Sequence, residues 1–159
     1  MTSPRNSQDL TPLGELREGR IQDLLGYQLA QATIPTTDAF VRVVGKPFDL
    51  RPVEFTILQL IDENPAATAT RIAKALAITT PGVTIWLDRL EKRGLISRER
   101  SGTDRRAQHL NSTKKGKALV GSAAEDLLDA ERGLLSPLSL GERHLLLELL
   151  QKVARSRTG

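Results

Sequence analysis

Residues 75–110, ALAITTPGVTIWLDRLEKRGLISRERSGTDRRAQHL, decide the fold. A short helix, a turn marked by Pro-Gly, a longer amphipathic helix and an arginine-rich hairpin follow one another without a spare residue. Thr80 is a good N-cap, Pro81 suits the first helical position, and Gly94 supplies the stop after Arg93. Within that helix Val83, Trp86, Leu87 and Leu90 share one face and should pack inward. Thr84, Ile85, Asp88 and Lys92 fall on the opposite face, with Arg89 at the border. From Leu95 to Arg100 the pattern changes to alternation, Ser101-Gly102-Thr103-Asp104 is a turn cluster, and Arg105 to Leu110 returns, which reads as a short hairpin.

Upstream, Thr70 can cap a helix from Arg71 to Leu76, and Arg51-Pro52 starts another whose face is Val53, Ile57, Leu60 and Ile61. Before that, Leu16 to Val44 has helical spacing that Pro35 should kink or divide, and Gly45-Lys46-Pro47 forms a break. Downstream, a long helix runs from Thr113 to about Leu134, and Ser139 opens the last one. Leu145 to Leu150, LLLELL, gives that last helix an apolar face too wide for one stripe. Either it is simply buried, or it packs between subunits with the N-terminal helix. The expected class is mainly α with a minor β part: a winged helix-turn-helix with a small β-hairpin wing, flanked by N- and C-terminal dimerisation helices. The expected boundaries are a flexible leader at 1–15, a helical dimerisation region at 16–48, the winged lobe at 49–112, and completing helices at 113–159.

The chain has 159 residues, 26% of them charged and 39% hydrophobic, within the range of soluble globular domains. Aromatics are only 3%, so the core must rely on Leu, Ile, Val and Ala. No apolar run approaches the roughly 20 residues that span a bilayer. The start, MTSPRNSQDLTPLGE, lacks a signal pattern, so a cytoplasmic protein with no membrane partner is expected. Cysteine is absent, which excludes disulfides and thiol chemistry. His109 and His144 are far apart and in no ligand-like cluster, so neither metal nor cofactor is expected.

Net charge is +4, unevenly spread. Between Thr68 and Lys117 twelve bases face four acids, a surplus of eight, while the remainder is acidic by four. A charge run is usually a solvated face, but here it coincides with a groove-reading order of parts, and basic surface attracts phosphates. The expected partner is double-stranded DNA. Thr79 and Thr80 offer hydroxyls beside the helix N-terminus, where backbone amides and the dipole favour phosphate. Pro81 belongs to that same first turn. Thr84 is placed to meet a base edge or a phosphate, and Ile85 to touch a thymine methyl. Arg89 is either a phosphate or base contact or a structural salt bridge. Around the hairpin tip, Arg98, Arg100, Asp104, Arg105 and Arg106 combine a carboxylate that can orient one guanidinium with arginines suited to the minor groove.

The chain resembles the MarR family of transcriptional regulators. The residues that carry this are Leu50-x-x-x-Glu54-Phe55-x-x-Leu58, Ile72-Ala73-x-x-Leu76, Val83-Thr84, Asp88-Arg89-Leu90-Glu91, Arg93-Gly94-Leu95-Ile96-x-Arg98, Asp104-Arg105-Arg106 and Thr113-x-x-Gly116. The resemblance implies a homodimer with one winged helix per lobe. It implies a repressor that binds a pseudo-palindromic operator and releases it when a small phenolic or carboxylate effector binds. Asp104 and Arg106 match the wing's Asp-x-Arg, with the arginine entering the minor groove. Ile85 departs from a polar or basic position, and Ser112 from the usual leucine. No ligand-binding residue is assigned.

Two other classes compete. One is a winged-helix protein–protein interaction module without specific DNA binding. The other is an enzyme, against which stands the lack of a catalytic triad, phosphate loop or metal cluster. Asp88 and Glu91, three apart on one helix, read as salt-bridge partners for Arg89 or Lys92 rather than as acid–base catalysts.

Overall fold

A computed structural model describes residues 10–100 and 108–157. They belong to two compact units, Met1–Asp38 and Ala39–Gly159. In the first unit Leu10 and Arg17 form an antiparallel bridge closed by Thr11 N–H to the Leu16 carbonyl at 2.9 Å. This bridge lies inside the segment expected to be a flexible leader. A 3-10 turn at Gly19–Asp23 precedes α1, Leu25–Phe40. Pro35 lies inside α1 and does not divide it. The neighbouring Thr33 and Thr36 hydroxyls bond back to the carbonyls of Leu29 (2.7 Å) and Ala32 (3.0 Å), as threonines inside helices do.

In the second unit a π-helical turn, Val41–Gly45, continues into α2, Lys46–Phe48. The break expected at Gly45-Lys46-Pro47 falls at Asp49, which takes the left-handed conformation (φ 48°), since Pro47 is tolerated in the first turn of α2. α3, Pro52–Glu63, has Pro52 as its first residue, and Glu54 Oε2 accepts the Arg51 N–H at 2.8 Å. Its buried stripe is Glu54, Ile57, Leu58 and Ile61, turned slightly from the expected one, so Val53 and Leu60 are only partly covered.

α4, Ala69–Leu76, is capped by Thr68 rather than Thr70: Thr68 Oγ1 accepts the Arg71 N–H at 3.3 Å. Ala77, left-handed at φ 53°, ends it and forms the turn to α5, Thr80–Lys92. Gly94, at φ 68°, closes α5, with its own N–H to Glu91 O (2.8 Å) and Leu95 N–H to Leu90 O (3.0 Å). β1, Ile96–Arg100, and β2, Gln108–Ser112, pair antiparallel with Arg98 opposite Leu110. Ala67 adds an edge bridge to Leu110.

α6, Lys114–Leu134, begins at Thr113, whose hydroxyl accepts Gly116 N–H (3.0 Å) and donates to Gly94 O (2.7 Å). A Cβ at residue 116 would lie 2.0 Å from the Leu95 carbonyl oxygen, so only glycine lets α6 start there. The core joins Ile57, Leu58 and Ile61 of α3, Val83, Leu87 and Leu90 of α5, the hairpin's Leu95, Ile96 and Leu110, and Val120 and Ala123 of α6. Each fully buried aliphatic of this kind contributes roughly 1.5–3 kcal/mol. α7, Leu140–Arg155, opens with a capping box from Ser139 and Glu142 and buries no residue.

Candidate nucleic-acid interface

α5 is seated by Val83, Leu87 and Leu90 and exposes its other side. Trp86, expected to be inward, is only partly covered, and the Arg51 guanidinium lies 5.2 Å from its ring centroid in a cation–π contact. The N-cap is Thr79, one residue earlier than expected: its Oγ1 accepts the Gly82 N–H at 3.3 Å. Thr80 is then the first helical residue and Pro81 the second, both exposed. Thr84 Oγ1 donates to the Thr80 carbonyl at 3.1 Å, and Ile85 stands 67% exposed.

Arg89 is held from below. Its Nε lies 2.9 Å from Oε1 of Glu54, a residue with no exposed surface, and its Nη2 lies 3.8 Å from Asp49. The Glu54 contact is an ion pair without an aligned hydrogen bond at Oε1, while Oε2 takes the Arg51 amide. Arg89 thus makes a salt bridge to the buried Glu54, and its side chain stays 35% exposed. Arg93 is also internal in purpose: it donates to the carbonyls of Asp49 (2.5 Å) and Phe48 (2.8 Å), closing the end of α2.

Arg98 departs from the expectation of a tip residue reaching toward DNA. Strand alternation places it on the Ile96 face of β1, the face that packs on α5. There it bonds Asp88 and lies 3.5 Å from Glu91. The two acids expected to pair with Arg89 or Lys92 therefore clamp the wing instead. Lys115 caps the other end of α5, donating to the Arg93 carbonyl at 2.9 Å. Arg89 and Arg93 lie beside Glu54 and Asp49, acids outside the counted segment, so part of the surplus of eight is balanced from the neighbouring elements. Arg71, Lys74, Lys92 and Arg100 are exposed. Asp104, Arg105 and Arg106 lie outside the described residues.

Ser112 makes good its departure from leucine by donating to Asp62, while Asn111 Oδ1 accepts the Ala66 N–H at 3.1 Å. Sequence reading missed Asp49, Arg51 and Glu54. A signal existed for Glu54, which sits at i, i+3, i+4 and i+7 with Ile57, Leu58 and Ile61, and so on the buried stripe. The first unit holds an open recess of about 390 Å³ whose lining, among the described residues, includes Glu18 and Asp23. Tyr27 donates to Glu18 there at 2.8 Å, and that bond raises the phenol's pKa. Among the described residues no helix is long and apolar enough to cross a membrane, and none forms a cluster of three or more metal-type ligands.

Known proteins share this arrangement. The model of the MarR family matches residues 50–107. A protein of Thauera aromatica, named as a transcriptional regulatory protein for the hcr operon, is 28% identical over 152 residues, or 96% of this chain and 89% of its own length. The transcriptional repressor CouR, solved on a 23-mer DNA duplex, has a TM-score of 0.81 and 38% identity, covering 88% of this chain and 99% of that one. CouR bound to p-coumaroyl-CoA gives a TM-score of 0.77 and 35% identity over 90% of this chain and all (100%) of that one.

Proposed function

The chain belongs to the MarR family of transcriptional regulators, and from that premise we propose a homodimeric repressor that binds a pseudo-palindromic operator. The observation that carries it is the outward side of α5: Thr79, Thr80, Pro81 and Ile85 are exposed on a helix fixed by three buried residues and clamped to a basic hairpin. Such a helix fits the major groove, with its capped N-terminus against a phosphate. Arg100, Arg105 and Arg106 are the wing residues assigned to the minor groove and backbone, with Asp104 orienting one guanidinium. Arg106→Ala is expected to weaken operator binding strongly and leave the fold intact.

A second copy is the partner assigned to the apolar surface of the long helices. Leu140, Leu145, Leu147 and Leu149 of α7 are about half exposed or more, in a helix with no buried residue. Exposure of that extent marks an association surface. The effector class is an aromatic acyl thioester, supported by the ligand bound to CouR. The regulator acts in the cytoplasm and catalyses nothing.

The test is a binding assay on the intergenic DNA beside the protein's own gene, against random duplex of equal length. Preference for the intergenic duplex by a dimer, and its release by p-coumaroyl-CoA, support the reading. Equal binding to both duplexes favours the protein–protein module instead. Separate arms with p-coumarate and with coenzyme A tell which part of the effector is read.

A further inference from the structure

The outward face of α5 is not polar at its centre. Ile85 projects there with 67% of its surface exposed, and Pro81, one turn earlier, is exposed as well. A single exposed isoleucine is ordinary in itself. What sets this one apart is the state of the polar side chains around it. The Thr84 hydroxyl spends its proton on the Thr80 carbonyl (3.1 Å) and keeps only acceptor capacity. The Asp88 carboxylate is taken by Arg98, and the Arg89 guanidinium is turned down onto Glu54 at 2.9 Å. Arg93, at the far end, serves the carbonyls of Phe48 and Asp49. The middle of the helix thus offers a partner the Ile85 methyls beside polar groups that already have partners within the protein, with the Asp88 and Arg89 side chains still 59% and 35% exposed.

In the major groove one base presents an apolar group, the 5-methyl of thymine; the others present hydrogen-bonding edges there. A β-branched side chain on a helix has nearly one χ1 rotamer, so Ile85 aims its methyls in one fixed direction and can single out one base position. Granted that α5 lies in a major groove, as proposed above, we propose that Ile85 is a specificity-determining residue that packs on one thymine methyl in each half-site. Pro81 extends the same apolar strip toward the helix N-terminus. Arg98 serves this readout indirectly, because its single positive charge, bonded to Asp88 and near Glu91, offsets part of the negative charge that would otherwise face the DNA on this helix.

The experiment begins with a tight duplex selected by the protein from a randomised library. Each thymine is then replaced in turn, first in one half-site and then in both, by 2′-deoxyuridine, which differs only by the methyl. At one position the loss should be about fourfold for a single half-site and about fifteenfold when both are changed. Ile85→Ala should bind the thymine and deoxyuridine duplexes equally, and its thermal melting should be unchanged because the residue is exposed. Deoxyuridine duplexes that all bind as well as the parent overturn the assignment of Ile85. So does an Ile85→Ala protein that still discriminates. A library that returns no preferred duplex overturns the groove-reading role of α5 itself.

Discussion

Arg89 of the outward-facing helix and Glu54 of the helix beneath it form an ion pair in which the acid is wholly buried and the base is 35% exposed on its side chain. The two members therefore differ in what their loss costs. Arg89→Ala leaves an uncompensated carboxylate in the core, which costs about 2–3 kcal/mol, less than a fully buried pair because the guanidinium is partly solvated. Glu54→Gln keeps an acceptor for the Arg51 amide and frees Arg89 toward solvent, so its cost is about 1 kcal/mol. Urea unfolding at one fixed protein concentration should rank the two variants in that order.

The clamp of Arg98 on Asp88 and Glu91 should matter more to DNA than to the fold. Both acids are more than 40% exposed, and pairs of that kind contribute below about 1 kcal/mol. Arg98→Ala is expected to lower operator affinity roughly tenfold at moderate salt, since two bare carboxylates then face the phosphates. The slope of log K against log salt should hardly change, whereas loss of a direct phosphate contact would reduce it by about one. Removing Asp88 and Glu91 together with Arg98 should restore part of the affinity.

Glycines on α6 divide sharply. Gly116→Ala places a Cβ 2.0 Å from the Leu95 carbonyl oxygen, and backbone must move on both sides. The expected cost is about 3 kcal/mol or more, read as a lower thermal midpoint. Gly121 and Gly133 have nothing within 4 Å of a new Cβ, so alanine at either should stabilise the helix by about 0.5–1 kcal/mol.

The start of α7 should be acid-sensitive. The Ser139 hydroxyl, bonded to Glu142 at 2.7 Å, and then the Ser139 amide at 2.8 Å hold the Glu142 carboxyl below its ordinary value. A lowered folded-state pKa adds stability that is fully present above the ordinary glutamate value near 4.3. That contribution is lost as pH falls through the lower folded value. An NMR titration should find Glu142 below 4.3 and find Ser139→Ala returning it toward that value.

Periodic features were legible in the chain. The stripe Val83, Leu87 and Leu90, the Gly94 stop, the switch to a hairpin and the Ser139 cap all follow from spacing and local chemistry. Caps slipped by one or two residues at Thr79 and Thr68, because runs of threonine offer several hydroxyls and only tertiary packing selects one. A proline such as Pro35 is expected to kink or divide its helix, and α1 continues through it. The ion pairs were hidden for another reason. Glu54 and Arg89, or Asp88 and Arg98, meet across elements at separations that no single-helix period marks. Arginines counted as surface charge accordingly became internal ties. The sequence showed a basic segment, and only the fold showed which bases it spends on itself.

Sequence-specific reading of DNA by α5 and its wing is open to fluorescence anisotropy across a salt series. A labelled duplex selected by the protein is titrated in parallel with a scrambled duplex of the same composition. Log K should fall linearly with log salt for both, with a preference of at least about a thousandfold for the selected duplex at physiological salt. Equal affinity for the two duplexes, or affinity indifferent to salt, would contradict it.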